Sequence, residues 1–207
     1  FVVNSEDCKK YHLDNILNLL IGDSCKIIKL DNETKGAACS AMMAIEYINN
    51  DLPLIIANAD QLFDDNLQDI IADFKGVDAG VITFKSIHPR WSYVRINSDY
   101  NIVETAEKRP LSKHAIAGFF YFAKGSDFIN SAMNMIQKDV SVNDLYYISP
   151  TLNEMVLKNK KLLISEVDGA KIRPFIAYKN VRNVKRSDPK DCELIWNEGY
   201  KYTFYKK

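Results

Sequence analysis

The sequence predicts a single α/β domain, a mixed, mainly parallel central sheet with helices on both faces. Three observations point there. The first half alternates short apolar runs with stretches of helical periodicity over short connections, the pattern of a parallel sheet covered on both sides. The second half adds a hairpin signal and further apolar runs between helical stretches. Hydrophobic residues make up 47% of the 207, enough for a substantial core at this length.

The apolar triplet Phe1-Val2-Val3 opens the chain, followed by the turn-like Asn4-Ser5-Glu6-Asp7. Leu13, Ile16, Leu17, Leu20 and Ile21 recur at helical spacing, and Gly22 is a stop signal. Residues 26–30 read as a short strand. Lys35-Gly36-Ala37-Ala38 then leads into a helix of small residues running to about 49. The run 54–57, bounded by Pro53 and Asn58, suits a strand buried on both faces. A helix over 66–75 and a strand over 80–84 follow. Residues 92–97 and 102–106 flank Ser98-Asp99-Tyr100-Asn101, a hairpin. Beyond it come a strand over 115–123, a helix over 127–138 containing Phe128, Met135 and Ile136, and a helical stretch over 145–157 interrupted by Pro150. A last core strand is predicted over 161–167. The remainder is rich in Lys and Arg and closes with a predicted helix near 189–197.

Composition excludes several classes of function. Lys+Arg 27 balance Asp+Glu 27, so the chain does not bind nucleic acid by bulk positive charge. It is too apolar and too poor in Gly and Pro to be a disordered tail or a collagen-like repeat. Its longest apolar runs are far too short to span a bilayer, and no secretory leader pattern opens it. Cys8, Cys25, Cys39 and Cys192 show no zinc-knuckle or redox spacing, which suits reduced thiols in the cytoplasm. His12, His88 and His114 are scattered, without metal-ligand spacing.

Three stretches are candidates for chemistry. Asp60 follows the apolar strand in Ala57-Asn58-Ala59-Asp60-Gln61, and ligands in open α/β sheets collect beyond the carboxyl ends of strands. A carboxylate there suits Mg²⁺, which binds substrate phosphates through one or two carboxylates and several waters. It equally suits an N-cap of the next helix. In Thr34-Lys35-Gly36-Ala37-Ala38 the small residues let backbone approach a flat ligand, or let a helix pack tightly on a sheet. Glu104-Thr105-Ala106-Glu107-Lys108-Arg109-Pro110 closes a strand with charge. A carboxylate beside an ammonium can grip a sugar hydroxyl and a phosphate, and a solvated hairpin edge has the same composition. Trp91 and Tyr93 alternate as core aromatics do, and also as a sugar-stacking pair would.

In this order the stretches carry a resemblance. Lys35-Gly36-Ala37-Ala38-Cys39, Ala57-Asn58-Ala59-Asp60-Gln61, His88-Pro89-Arg90-Trp91-Ser92-Tyr93-Val94 and Ala106-Glu107-Lys108-Arg109-Pro110 are four of its parts. Ala117-Gly118-Phe119-Phe120-Tyr121-Phe122 and Asn143-Asp144-Leu145-Tyr146-Tyr147-Ile148-Ser149-Pro150 complete it. From Phe1 to about Ile164 the chain resembles the sugar-phosphate nucleotidylyltransferases of the glycosyltransferase-A type fold, closest to a branch serving bacterial capsule and lipopolysaccharide synthesis. The resemblance implies transfer of a nucleoside monophosphate from a nucleoside triphosphate to a sugar phosphate, with release of pyrophosphate. It implies Mg²⁺ on Asp60, nucleotide against Gly36, Ala37, Ala38 and Asn58, sugar and phosphate against Glu107 and Lys108, and a sugar pocket lined by Ser92 and Gly118.

Two departures from the family pattern stand out. Its Gly-rich phosphate loop, with an Arg and a later Lys-Pro, lies upstream of the segment matching Phe1, together with a central strand. The expectation is therefore a single nucleotidyltransferase-like domain over 1–207 that is N-terminally incomplete by roughly fifty residues and inactive by itself. At the other end, 168–207 diverges. Asn183-Val184-Lys185-Arg186-Ser187-Asp188-Pro189 stands where the family commonly places a second acid or a Gly-rich turn, and Asp168, right after the last core strand, is the candidate second metal ligand. A glycosyltransferase consuming a nucleotide-sugar and a catalytically inactive homologue are the competing readings. The Glu107-Lys108 pair and the lone acid after Asn58-Ala59 favour the nucleotidyltransferase.

Overall fold

The computed structural model describes residues 1–58, 61–63, 65–169, 172–174, 193–195 and 201–203. They fall into two units, Phe1–Pro174 and Phe175–Lys207.

The first unit is organised around a six-stranded sheet. Its strands are β3 (Leu54–Ala57), β5 (Ala79–Lys85), β6 (Tyr93–Ile96), β7 (Ile102–Ala106), β8 (His114–Phe122) and β9 (Leu162–Glu166). The order is β7-β6-β8-β5-β9, with β3 also on β8. Four of the six strands run the same way, but β8 stands between them. Only β5 and β9 therefore pair in parallel, while β3, β5 and β6 all meet β8 antiparallel. The nine residues of β8 hold the sheet together. Its first two pair with β6 and its last four with β3, and the register against β5 shifts between these segments. Gly118, at φ 69°, sits within that irregularity, in a conformation that glycine adopts without a Cβ clash.

Alternation along these strands feeds two cores. Val81, Val94, Ile116, Phe120 and Phe122 face helices α6 (Gly125–Gln137), α7 (Thr151–Leu157) and α3 (Ala37–Met42). Ile82, Tyr93, Ala117 and Phe119 face helix α5 (Leu67–Asp73) and Phe74. Helices on both faces follow directly from burial on both sides of β5.

The N-terminal segment forms a separate pair. Strand β1 (Val2–Asn4) runs parallel to β2 (Ile28–Leu30), joined through α1 (Ser5–Tyr11), α2 (Leu13–Ile21) and a 3₁₀ turn over Gly22–Ser24. Strand β4 (Gln61–Phe63) pairs antiparallel with β10 (Ile172–Pro174). In the second unit, β11 (Glu193–Ile195) pairs antiparallel with β12 (Lys201–Thr203).

Several expectations need correction. Asn4 does not sit in a turn; its side chain accepts the Glu6 amide and caps α1. The helix expected to run to about residue 49 breaks at Met43–Ala44 into α3 and a one-turn α4 (Ile45–Ile48). Strand β3 is half-buried rather than buried on both faces, with Ile55 41% exposed. Residues 145–150 are not helical. Asn143 and Asp144 both have positive φ and close a tight turn between Val142 and Leu145, and Pro150 caps α7 instead of interrupting it. Within the span 189–197 expected to be helical, the described residues 193–195 are a strand.

Candidate active site

The start of β6, the carboxyl end of β7 and the loop before α7 bring together Ser92, Glu107 and Lys108 of the predicted sugar-phosphate residues, while the fourth, Gly118, pairs with Asn58. Glu104 and Glu107, three apart on a charged run, separate into two roles. Glu104 points outward to Arg95 at 2.6 Å and Arg109 at 3.3 Å, both largely exposed, which is a solvated edge. Glu107 is half-buried, and its Oε2 accepts hydrogen bonds from the Ser92 hydroxyl and, at 2.8 Å, from the Ser149 hydroxyl. Two hydroxyl donors on one oxygen fix the carboxylate and leave Oε1 as an acceptor without a hydrogen bond among the described residues. Ser92 is itself held to the sheet, since its carbonyl accepts the Ile116 amide at 2.8 Å.

Lys108 follows with φ 52°, a left-handed residue that turns the chain at the strand end. Its ammonium donates to the Tyr147 hydroxyl at 2.6 Å and lies 4.7 Å from the centre of the Tyr147 ring. Ser149 and Tyr147 complete this cluster, and sequence reasoning gave neither a role. The available signal was the row of hydroxyl-bearing side chains in Tyr146-Tyr147-Ile148-Ser149.

The same loop holds the predicted nucleotide-binding residues on its other side. The Tyr146 amide donates to the Lys35 carbonyl at 2.8 Å, and its carbonyl accepts the Ala38 amide at 3.0 Å. Gly36, at φ 108°, lies so close that a Cβ would overlap the Tyr146 backbone. Its small size therefore has a packing cause within the chain. Ala38 is fully buried in the core shared with α6, whereas Ala37 is exposed. Asn58 extends β3 by one ladder bond, its amide donating to the Gly118 carbonyl at 2.9 Å. These two predicted residues are neighbours at the bulge.

Of the two predicted metal acids, the structure describes only Asp168. Asp60 lies outside the described residues. Asp168 lines an open cleft with Lys85, Glu166, Val167 and Gly169. Glu166, the other carboxylate there, already meets Lys85 at 2.6 Å and His114 at 2.9 Å. Burial pushes its carboxyl up, but the bonds to Lys85, chiefly, and to His114 outweigh burial and hold it below its usual range. Among the described residues no three His, Cys, Asp or Glu side chains converge to hold a metal ion. No helix among the described residues is long and apolar enough to cross a membrane.

No protein-family model matches the chain, and no curated protein is similar to it in sequence. Solved structures do match. A nucleoside-diphosphate-sugar pyrophosphorylase from Vibrio cholerae RC9 aligns at TM-score 0.72 and 17% identity, over 84% of this chain and 74% of its own length. The inositol-1-phosphate CTP transferase from T. maritima aligns at TM-score 0.57 and 15% identity, over 81% of this chain and 65% of its own. A UDP-glucose pyrophosphorylase complexed with UDP-glucose aligns at TM-score 0.59 and 17% identity, over 75% of this chain and 64% of its own. The chain thus spans about two thirds to three quarters of the length of these structures. It has the fold of the sugar nucleotidyltransferases, as its motifs led us to expect.

Proposed function

We propose that this chain is the greater part of a sugar-phosphate nucleotidylyltransferase, moving a nucleoside monophosphate from a nucleoside triphosphate to a sugar phosphate and releasing pyrophosphate. The observation that carries this reading is the paired cluster at the end of β7, with Glu107 fixed by two serines and Lys108 reaching to Tyr147. Glu107 Oε1 takes a sugar hydroxyl, and Lys108 exchanges its bond to Tyr147 for the sugar's phosphate. Ser92 and Gly118 border the sugar, while Gly36, Ala37, Ala38 and Asn58 border the nucleotide. An oxygen of the acceptor phosphate attacks the α-phosphorus in line; that P–O bond forms as the bond to the β-phosphate's bridging oxygen breaks. The protein's share is alignment and charge compensation, without a covalent intermediate.

Mg²⁺ on Asp60, with Asp168 as a second acid, belongs to this reading through their places in the sequence after predicted strands and through the resemblance. Among the described residues, Glu166 beside Asp168 is already bonded to Lys85 and His114. No step above depends on the ion. A cytoplasmic place and a role in bacterial surface polysaccharide synthesis are part of the same proposal.

The test is pyrophosphate release by the natural polypeptide that contains these residues, with each nucleoside triphosphate against a panel of sugar 1-phosphates. Lys108→Ala is expected to lower kcat/KM for the sugar phosphate by about a hundredfold or more. Equal turnover by this variant would remove Lys108 from the site. Turnover only with a nucleotide-sugar and an acceptor would make the protein a glycosyltransferase.

A further inference from the structure

We propose that Asn153 is a positioning residue that sets the Glu107–Lys108 turn, an inference resting on the reading of that turn as the sugar-phosphate site. Strand β7 pairs with β6 on one side, and on the other it meets α7. There the Asn153 carboxamide acts as a neighbouring strand would. Its Oδ1 accepts the Thr105 amide at 2.7 Å and its Nδ2 donates to the Thr105 carbonyl at 2.9 Å. A side-chain amide has the same donor and acceptor arrangement as a peptide group, so this pair completes one rung of a ladder.

A second bond locks the same residue to the loop. The Thr105 hydroxyl, buried, donates to the Ser149 carbonyl at 2.7 Å, and the Ser149 hydroxyl returns to Glu107 two residues further on. Thr105 is therefore tied at its amide, its carbonyl and its hydroxyl just before the strand delivers Glu107 and Lys108.

The anchor itself is rigid. Leu152 and Met155, on either side of Asn153, are 0% and 1% exposed. Glu154 is held by both of its oxygens to Lys138 of the α6 C-cap, at 2.7 and 2.9 Å. Asn153 thus transmits the position of a core helix to two side chains that lie outside the core. A carboxamide is required, because alanine supplies neither bond. Aspartate keeps the acceptor but sets a carboxylate against the Thr105 carbonyl.

Glucose 1-phosphate and UTP serve as probes, titrated by calorimetry into the parent protein, Asn153→Ala and Asn153→Asp. Asn153→Ala is expected to weaken glucose 1-phosphate by about tenfold and UTP by under about twofold, with Asn153→Asp in between. By NMR, the Lys108 ε-methylene protons are expected to be shifted upfield by the Tyr147 ring in the parent and to move towards unstructured values in Asn153→Ala. If that variant does not fold, Asn153→Asp carries the same comparison. Unchanged glucose 1-phosphate affinity, equal loss for both probes, or an unmoved Lys108 signal each overturns the proposal. A parent protein that binds no sugar phosphate would instead overturn the reading of the site, and the Lys108 signal would still decide the role of Asn153.

Discussion

Helices α2 and α6 are equally amphipathic in sequence, yet the fold uses them in opposite ways. In α6 the apolar stripe is consumed: Phe128, Ala132 and Met135 are fully buried and Ile129 is 1% exposed, against β8, α3, α4 and α7. In α2 no residue is buried, and Leu19 and Leu20 are 87% and 77% exposed. Helical spacing specifies that a face exists. Whether it is covered depends on elements distant in sequence, and packing against those elements supplies most of a helix's stability. The sheet region should therefore respond to core substitutions steeply, and the N-terminal region hardly at all.

The largest expected effect lies in α6. Phe128 is fully buried, 5.2 Å ring to ring from Phe122 at the end of β8. Phe128→Ala is expected to cost about 3–5 kcal/mol in denaturant or thermal unfolding, the lost burial plus a cavity that a tightly packed face closes poorly. A cost below about 1 kcal/mol would mean that this face is no better packed than α2.

An intermediate effect separates the regions through their ion pairs. In the sheet region Lys160 meets Asp78 at 2.9 Å and Asp127 at 3.3 Å, and the Lys161 amide also donates to Asp78. Burial pushes the Asp78 carboxyl up, but the bonds from Lys160 and Lys161 prevail and its pKa is lowered. For a carboxylate lowered on folding, the stabilisation is complete above the unfolded value, near 4, and drains away as pH falls through the lower folded value. Lys160 is raised chiefly by its bond to Asp78, so its share is complete below its unfolded value and is lost only as alkaline pH passes the higher folded one. Asp78→Asn is expected to cost about 1 kcal/mol at neutral pH, discounted because both partners are about a third exposed, and to flatten the acid limb of the stability curve. In the N-terminal region, Asp14 is likewise lowered chiefly by its bond to Lys29 at 2.5 Å, but Lys29 is 50% exposed and Asp14 stands on α2, which buries no residue. Asp14→Asn is expected to leave the midpoint of thermal unfolding nearly unmoved. Equal shifts for the two variants would erase the distinction.

The same contrast explains what was legible in the sequence. Strands β5, β8 and β9 were readable because continuous apolar runs bury both faces, and α6 because its stripe is matched by its surroundings. Glu107 was readable as a charge at a strand end. Its partner Ser149 was not, since that hydroxyl arrives from forty-two residues later. Residues 145–150 were misread as helix for a related reason. Locally their spacing allows one, but the backbone of Tyr146 is committed to Lys35 and Ala38, far back in the chain. Gly36 showed its need for a small residue, but the cause was Tyr146, which no local pattern reveals. Asn58 lies at a strand end and Gly118 at a strand centre, and only the antiparallel pairing of β3 with β8 makes them neighbours.

The smallest expected effect is the most direct probe of the N-terminal face. Leu20 belongs to the apolar stripe of α2 and is 77% exposed. Little transfer energy is therefore at stake in replacing it. Leu20→Ser should cost only the difference in helix propensity, a few tenths of a kcal/mol, within the scatter of surface substitutions of about 0.5 kcal/mol. The reading is the midpoint of thermal unfolding at two protein concentrations. A cost above about 2 kcal/mol, independent of concentration, would mean that Leu20 is covered within the monomer, and α2 would then resemble α6 after all. A cost that grows with concentration would place the cover on another copy of the chain. A negligible cost leaves the two helices as opposed in energy as they are in exposure.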